Sequence, residues 1–145
     1  MKAEGSDVCA VVEGFNQAWQ AGDLEGALAH CAPDVVYALH LDENADEHGG
    51  CWVGLDEVRT VLSRLRERFE FEVFRPTIMG VSGDTVRQRV EFTGIHKASG
   101  ERMSLRYRLV FIVRKGKIFQ ADEFHDAAML QAFFRLVASK GYAAK

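Results

Sequence analysis

The feature that most constrains this chain is a long run of alternating apolar and polar residues, broken only by short turns, between residues 70 and 125. Alternation with a period of two is typical of strands that bury one face. It predicts four strands, at roughly 70–81, 84–97, 103–114 and 117–125, with glycines in the turns between them. Strands joined by such short turns pair antiparallel, so this part of the chain must form a sheet whose apolar face needs a cover.

The segment before the sheet supplies that cover, because its apolar residues recur at helical spacing. Asp7 is a good capping residue for a first helix, and Gly22 is suited to end it. The apolar stripe of this helix consists of Val8, Val12, Phe15 and Trp19. The chain therefore begins with an amphipathic helix.

The next segment is predicted to form a helix, a strand, a loop and a further helix. Asp23 is suited to cap a shorter second helix, which Pro33 stops before a strand at 35–41. Residues 42–51 form an acidic loop that ends in glycines. From Leu55 to Phe69, helical spacing returns and predicts a third helix.

The last element is a helix that Asp126 is suited to cap. With 145 residues, of which 48% are hydrophobic, the chain is long enough for one domain, residues 1–145, with its own core. The order helix, helix, strand, helix, four strands, helix predicts an α+β fold. Its N-terminal helices cover one face of a curved sheet and leave a conical pocket between the two layers.

Composition excludes several classes of partner. The 18 Lys and Arg against 21 Asp and Glu give a net charge of −3, so we expect no binding to nucleic acid. The polar start and the lack of a long apolar run predict neither a secretion signal nor a membrane span. Three cysteines, Cys9, Cys31 and Cys51, are typical of free thiols and favour a cytoplasmic location.

Three stretches of the sequence resemble the nuclear transport factor 2-like superfamily. They are residues 15–34, with Trp19, Ala21-Gly22-Asp23-Leu24 and Cys31-Ala32-Pro33-Asp34, the helix start at 54–61, and the C-terminal 116–126. This superfamily includes ketosteroid isomerase, the polyketide cyclases and limonene epoxide hydrolase. The resemblance extends over nearly the whole chain. It implies a cystatin-like α+β barrel, with a curved, mixed and mostly antiparallel sheet, a hydrophobic cavity, and a homodimer formed through the convex face of the sheet.

The resemblance to ketosteroid isomerase does not extend to its catalytic residues. The positions of its tyrosine and its base are occupied here by Phe15 and by residues near Leu39, and its oxyanion acid falls on Arg108 or Leu109. Without a neutral acid or an acidic hydroxyl directed at the oxygen, a dienolate is not stabilised. We therefore do not expect steroid isomerisation.

Limonene epoxide hydrolase and the polyketide cyclases offer closer matches. The resemblance to the hydrolase implies Glu123 as base, Glu91 as acid, Arg89 as the bridge between them and Tyr37 as a water-holding residue, although Leu39 replaces its asparagine. The catalytic acid of the cyclases also falls on Glu123. Alternation along the last strand puts Phe119, Ala121, Glu123 and His125 on one face, so His125 is a candidate partner.

Two interpretations of the strand at 84–97 compete. Alternation directs either Arg89 and Glu91 or Val90 and Phe92 into the pocket, and the hydrophobic pattern favours the second pair. In that case Arg89 and Glu91 form cross-strand ion pairs on the exposed face. The resemblance favours the first pair, whose convergence with Glu123 would indicate catalysis.

The remaining candidates are apolar or metal-binding residues. Predicted ligand contacts in the cavity are Phe15, Trp19, Leu39, Trp52, Phe69 and Phe111, although aromatic residues in such a pattern are more often plain core than a ligand cage. The acidic segment at 42–46 opens like a calcium loop but departs from it at Val53, and His40, His48 and Cys51 lack a recognised zinc spacing. We expect no metal. Nucleotide-binding and acyl-enzyme motifs are missing from the sequence, so we also expect no cofactor.

The sequence thus predicts a small, cofactor-free enzyme that performs acid/base chemistry on an apolar small molecule. Hydration, dehydration, isomerisation, cyclisation and epoxide hydrolysis are all compatible with the candidate residues. The alternative is a domain of the same fold that binds a ligand or a protein without catalysis.

Overall fold

The computed structural model of the chain describes residues 2–40 and 50–142, with side chains from Asp7 onward. The described helices are α1 (Lys2–Gln20), α2 (Leu24–Leu28), α3 (Leu55–Arg68) and α4 (Ala127–Ser139). The described strands are β1 (Cys31–His40), β2 (Gly50–Val53), β3 (Phe69–Ser82), β4 (Thr85–His96), β5 (Arg102–Arg114) and β6 (Lys117–Phe124). The predicted order of elements is confirmed, with β2 as an addition.

The strands form one curved sheet in the order β2-β1-β6-β5-β4-β3. Neighbours pair antiparallel except β1 and β6, which are parallel, since the chain between them passes through α3 and four other strands. The predicted α+β class with a mixed, mostly antiparallel sheet is confirmed. The sheet is open, with β2 and β3 at its edges.

One bulge changes which residues face the core. The pairing of β5 with β6 shifts between Ile112 and Val113, and Phe119 is the extra residue on β6. As a result Ile118 is buried together with Ala121, while Arg114 lies 4.8 Å from the centre of the Phe119 ring. The prediction that Phe119 shares the face of Ala121 and Glu123 was therefore wrong, because simple alternation does not allow for an inserted residue.

The core lies between the concave face of the sheet and the helices. Its buried strand residues include Phe111 on β5 and, on β4, Val86 and Val90, which alternate with the exposed Arg87 and Arg89. They pack in one cluster with Val12 of α1 and Val58 of α3. The hydrophobic pattern therefore identified the concave face correctly.

Two aspartates that the sequence predicts as helix caps do cap helices in the structure. Asp23 accepts a hydrogen bond from the Gly26 amide at 2.9 Å and caps α2. Asp126 accepts from the amides of Ala128 and Met129, at 3.0 and 3.4 Å, and caps α4. Both predicted caps are confirmed, and Gly22 after α1 adopts a φ of 83°, which favours glycine.

The N-terminal boundaries differ from the prediction. Helix α1 begins at Lys2 and not after Asp7, because Lys, Ala and Glu upstream of Asp7 are themselves good helix formers. Pro33 lies inside β1 and does not precede it. A proline is tolerated there because the pairing of β1 with β6 passes from Cys31 directly to Val36, so no partner requires an amide at residue 33.

The predicted acidic loop at 42–51 falls largely outside the described residues. Its last two residues belong to β2, which pairs with β1 through Trp52 opposite Tyr37. All three cysteines are free, as predicted. No helix in the described ranges has the length and apolar character needed to cross a membrane.

Candidate active site

A cavity of about 240 Å³ lies between the concave face of the sheet and helices α3 and α4. Its apolar wall includes Leu39, Trp52, Leu62, Leu65, Phe69, Phe71, Phe92, Met103, Leu105, Leu130 and Phe134. Its polar lining is made by Tyr37, Tyr107, Glu123 and His125 from the sheet side and by Arg64 and Arg68 from α3. An apolar cavity with a few convergent polar groups is typical of small-molecule sites.

Glu123 is the carboxylate of this cavity, and both of its oxygens have partners. Its Oε1 accepts a hydrogen bond from the Tyr37 hydroxyl at 2.8 Å. Its Oε2 contacts Nε2 of His125. The parallel pairing of β1 with β6 brings Tyr37 opposite Ala121, two residues before Glu123. With side chains only 14% and 8% exposed, Glu123 and His125 are held in a largely water-free setting.

Tyr107 completes the polar cluster from β5. Its ring stacks on the His125 ring, with centroids 4.4 Å apart and planes 25° from parallel. Among the described residues nothing hydrogen-bonds its hydroxyl, although the residue lines the cavity. Burial, and then the negative charge of Glu123, raises the pKa of Tyr107 well above its usual value. Tyr107 therefore stays protonated and able to donate at neutral pH.

Tyr37 is held in the same protonated form. Burial is the main cause that raises the pKa of Tyr37 well above its usual value, followed by the charge of Glu123 and the hydrogen bond to it. Its ring stacks on Trp52 of β2 at 5.4 Å. The short strand β2 therefore serves to fix the residue that orients the carboxylate.

A second, smaller cavity of about 50 Å³ adjoins this cluster on the side of α1. Tyr37, Tyr107 and Glu123 line both cavities. Behind it the buried amides of Asn16 and Gln88 bond reciprocally, at 2.6 and 3.3 Å. Because this pair satisfies both amide groups, it closes the narrow end of the pocket without leaving a buried polar group unpaired.

Comparison with known proteins identifies the family. The family model described as SnoaL-like domain matches residues 12–121, which is most of the chain. The chain belongs to the SnoaL-like domain family. The predicted resemblance to the nuclear transport factor 2-like superfamily, with its polyketide cyclases, is thereby confirmed. The comparison with curated protein sequences gives no match.

Solved structures similar to this SnoaL-like chain share its fold. A nuclear transport factor 2-like protein from Burkholderia xenovorans is 22% identical, with a TM-score of 0.74 over 88% of this chain and 95% of that one. A protein from Xanthomonas campestris, provisionally assigned as a polyketide cyclase, is 19% identical, with a TM-score of 0.72 over 90% and 96%. TerC co-crystallised with polyporic acid is 18% identical, with a TM-score of 0.74 over 90% and 97%.

Two of the predicted catalytic residues of this SnoaL-like chain do not reach the cavity. Arg89 and Glu91 lie on the convex face, because the buried residues of β4 are Val90 and Phe92 on either side of Glu91. Glu91 instead accepts a hydrogen bond from Arg75 at 2.9 Å. Arg89 and Glu91 therefore do not converge with Glu123, and of the two interpretations of this strand the structure agrees with the one that the hydrophobic pattern favours.

The other predicted residues do line the pocket of the SnoaL-like chain. Tyr37, Glu123 and His125 form the polar cluster described above. Of the predicted ligand contacts, Leu39, Trp52 and Phe69 line the larger cavity, whereas Phe15, Trp19 and Phe111 line the smaller one. Contact with a ligand stays a prediction for all of them.

Sequence reasoning missed Tyr107, Arg64 and Arg68. The sequence could have indicated Tyr107, because it shares the concave face of β5 with Leu105 and Leu109 and brings a hydroxyl group to that apolar face. Arg64 and Arg68 look like ordinary favourable cations near the C-terminal end of α3. Only the position of α3 against the sheet shows that they line a cavity.

The sequence predicts no metal site. The residues that were considered for one lie on both sides of the undescribed segment and within it. His48 of the considered zinc set lies outside the described residues. Within residues 2–40 and 50–142, no three His, Cys, Asp or Glu side chains are grouped as a metal site would require. His40 instead contacts Asp122 at 2.8 Å and stacks on Phe124.

Proposed function

We propose that this SnoaL-like protein is an enzyme that isomerises or cyclises a small carbonyl compound by proton transfer in its apolar cavity. Glu123 acts as the general base and Tyr107 as the hydrogen-bond donor to the carbonyl oxygen. The observation that carries the proposal is a carboxylate with both oxygens oriented, beside a protonated hydroxyl that no described residue engages. TerC, co-crystallised with polyporic acid, supports a small organic molecule as the ligand class.

The reaction begins when Glu123 removes a proton from the carbon next to the carbonyl. The electron pair of that C–H bond moves toward the carbonyl oxygen, and Tyr107 donates a hydrogen bond to the developing negative charge. In an isomerisation, protonated Glu123 returns the proton to another carbon of the enolate. In a cyclisation, the enolate carbon attacks a second carbonyl, and the proton goes to the new alkoxide oxygen.

Tyr37 and His125 act as positioning residues for the base. They bind one carboxylate oxygen each, so the plane of the Glu123 carboxyl is fixed relative to the cavity. Fixing the base lowers the entropic part of the barrier. The apolar wall keeps bulk water from solvating the enolate or delivering a competing proton.

The geometry gives no support to the epoxide-hydrolase version of acid/base chemistry. That version requires Arg89 and Glu91 beside Glu123, and both side chains lie on the opposite face of the sheet. The same observation favours a second candidate, a cavity that binds its ligand without turnover. In that case Glu123 and Tyr107 serve only as a hydrogen-bonding pair for the ligand.

Isotope exchange distinguishes the two candidates. With the probe ketone 2-tetralone in D₂O, wild-type protein should accelerate exchange of the protons next to the carbonyl above the buffer rate, followed by proton NMR. The Glu123→Gln variant should lose about a hundredfold or more of that acceleration, because the amide cannot accept the proton. Tyr107→Phe should lose a comparable factor, because the oxyanion donor is missing.

The matched control is Glu91→Gln, which removes the same charge from the convex face. It should leave the exchange rate unchanged. An unchanged rate in Glu123→Gln would contradict the assignment of the base and leave the binding-only candidate. Native mass spectrometry of the purified protein then identifies a retained ligand, with which turnover by the same variants is measured.

The proposed enzyme acts in the cytoplasm. Cys9, Cys31 and Cys51 are all free, which is usual in a reducing compartment. Burial raises the pKa of the Cys31 thiol to about 12, so this residue takes no part in thiolate chemistry.

A further inference from the structure

Helix α3 contributes two arginines to the cavity wall, Arg64 and Arg68, which are one helical turn apart. Neither guanidinium donates a hydrogen bond to, or forms an ion pair with, any residue that the structure describes. Two other arginines of α3 have partners within the fold, although the buried Nε of Arg66 has none. Arg59 binds Glu25 at 2.8 Å, and Arg66 donates to the Trp19 carbonyl and lies 3.9 Å from the centre of the Phe71 ring.

The stability of the helix does not explain why Arg64 and Arg68 lack partners while Arg59 and Arg66 have them. Like charges four residues apart on a helix destabilise it by about 0.2–0.5 kcal/mol. Placement near the C-terminal end of the helix offsets that cost but does not explain why both side chains line an apolar cavity. The positive charge of Arg68 also acts on its surroundings, because after burial it is the second cause that lowers the pKa of His96.

Glu123, the one carboxylate in the cavity lining that the structure describes, does not neutralise these arginines. Glu123 is bound by Tyr37 and His125, and it forms no ion pair with Arg64 or Arg68. The two positive charges therefore lie on the helix side of the cavity, apart from the proton-transfer cluster on the sheet side. An anionic group of a ligand can bind on the helix side without approaching Glu123.

We propose that the cavity takes an aromatic or polycyclic acid, whose carboxylate is bound by Arg68 and Arg64 while its ring packs against the apolar wall. Guanidinium groups bind carboxylates through paired, charge-assisted hydrogen bonds, and a half-buried site strengthens them. The aromatic wall of Phe69, Phe71 and Phe92 suits a planar ring. A cavity of about 240 Å³ is smaller than the roughly 300–1,000 Å³ of drug-sized sites, which favours a compound of about two rings.

This inference rests on the proposed function only in taking the cavity as the ligand site, so it is tested by binding and not by turnover. The probes are 2-naphthoate and its neutral amide, 2-naphthamide, titrated by calorimetry or by the fluorescence of Trp52. Wild-type protein should bind 2-naphthoate about tenfold or more tightly than 2-naphthamide. Arg68→Gln should abolish that preference, and Arg64→Gln should reduce it less because Arg64 is more exposed.

The control variant is Arg135→Gln on α4, which removes an equal charge from an exposed position outside the cavity lining. It should keep the preference for the acid. Equal affinity of wild-type protein for the two probes overturns the proposal, as does an equal effect of Arg68→Gln and Arg135→Gln. Glu123→Gln should still prefer 2-naphthoate, so a loss of proton exchange in that variant tests the proposed function alone.

Discussion

At the scale of single residues, the cavity is organised around one carboxylate and two tyrosines. Tyr37 and Tyr107 surround Glu123, and one of them orients it while the other faces the space beside it. Both tyrosines have pKa values well above the usual value, with burial as the first cause. Because burial keeps both tyrosines protonated in the folded chain, the free energy of unfolding must depend on pH in the alkaline range.

The first prediction concerns that alkaline stability. An unfolded chain loses its tyrosine protons near pH 10, whereas the folded chain retains those of Tyr37 and Tyr107 to higher pH. The folded state then binds more protons, so the free energy of unfolding falls as the pH rises above 10. Each of these tyrosines should contribute a slope of at most about 1.4 kcal/mol per pH unit.

Urea unfolding at a series of pH values from 9 to 11 measures this slope. Tyr107→Phe should make the slope shallower by up to about 1.4 kcal/mol per pH unit, because the variant has one fewer proton to lose. Tyr142→Phe is the control, since that residue is exposed in the folded chain. Identical slopes for Tyr107→Phe and the wild type would show that Tyr107 ionises alike in both states.

The sequence predicted part of this residue-level picture. Glu123 and His125 were found because they follow one strand face, and Tyr37 was found through the resemblance. The face of Arg89 and Glu91 stayed open, because the resemblance and the hydrophobic pattern indicate opposite faces of the same strand. Tyr107 was overlooked because it shares its strand face with the apolar Leu105 and Leu109, which is typical of a core residue.

At the scale of elements, local sequence patterns predict most of the secondary structure. The exceptions are places where pairing with a neighbouring strand determines the conformation. The long helices and strands could be read from periodicity, and the caps at Asp23 and Asp126 from residue type. Strand β2 could not, because its four residues gain their strand form only by pairing with β1. The bulge at Phe119 likewise depends on the neighbouring strand and has no signal in the local pattern.

The cap of α4 is open to a direct test, because this helix brings Leu130 and Phe134 to the cavity. Asp126 caps it by accepting from two backbone amides, and its charge lies at the positive end of the helix dipole. Asp126→Ala should lower the free energy of unfolding by about 1 kcal/mol in urea titrations. Asp126→Ser keeps a capping oxygen and should recover most of the loss. An Ala variant as stable as the wild type would mean that the cap contributes nothing.

At the scale of the whole molecule, the two faces of the sheet differ in character. The concave face is apolar and encloses the cavity, while the convex face exposes Arg87, Arg89, Arg106 and Arg108. Arg89 and Arg108 lie directly opposite each other on β4 and β5, and no described residue forms an ion pair with either of them. Like charges in register destabilise a strand pair, and no ion pair in the described part of the chain offsets that repulsion.

We propose that a second copy of the chain covers the convex face, in the homodimer that the superfamily resemblance implies. Val110 and Ile112 are half-buried on this face and offer an apolar centre, whereas the carboxylates of Glu91 and Asp122 already pair with Arg75 and His40 of the same chain. In a twofold dimer each such contact occurs twice.

Ile112→Asp should therefore convert a dimer at micromolar concentration into a monomer, as measured by size-exclusion chromatography with light scattering, while leaving the helical circular dichroism intact. Leu136→Asp, at an exposed position on α4, should remain a dimer. A wild-type protein that is monomeric under the same conditions would contradict the proposal and leave the convex arginines available to a different acidic partner.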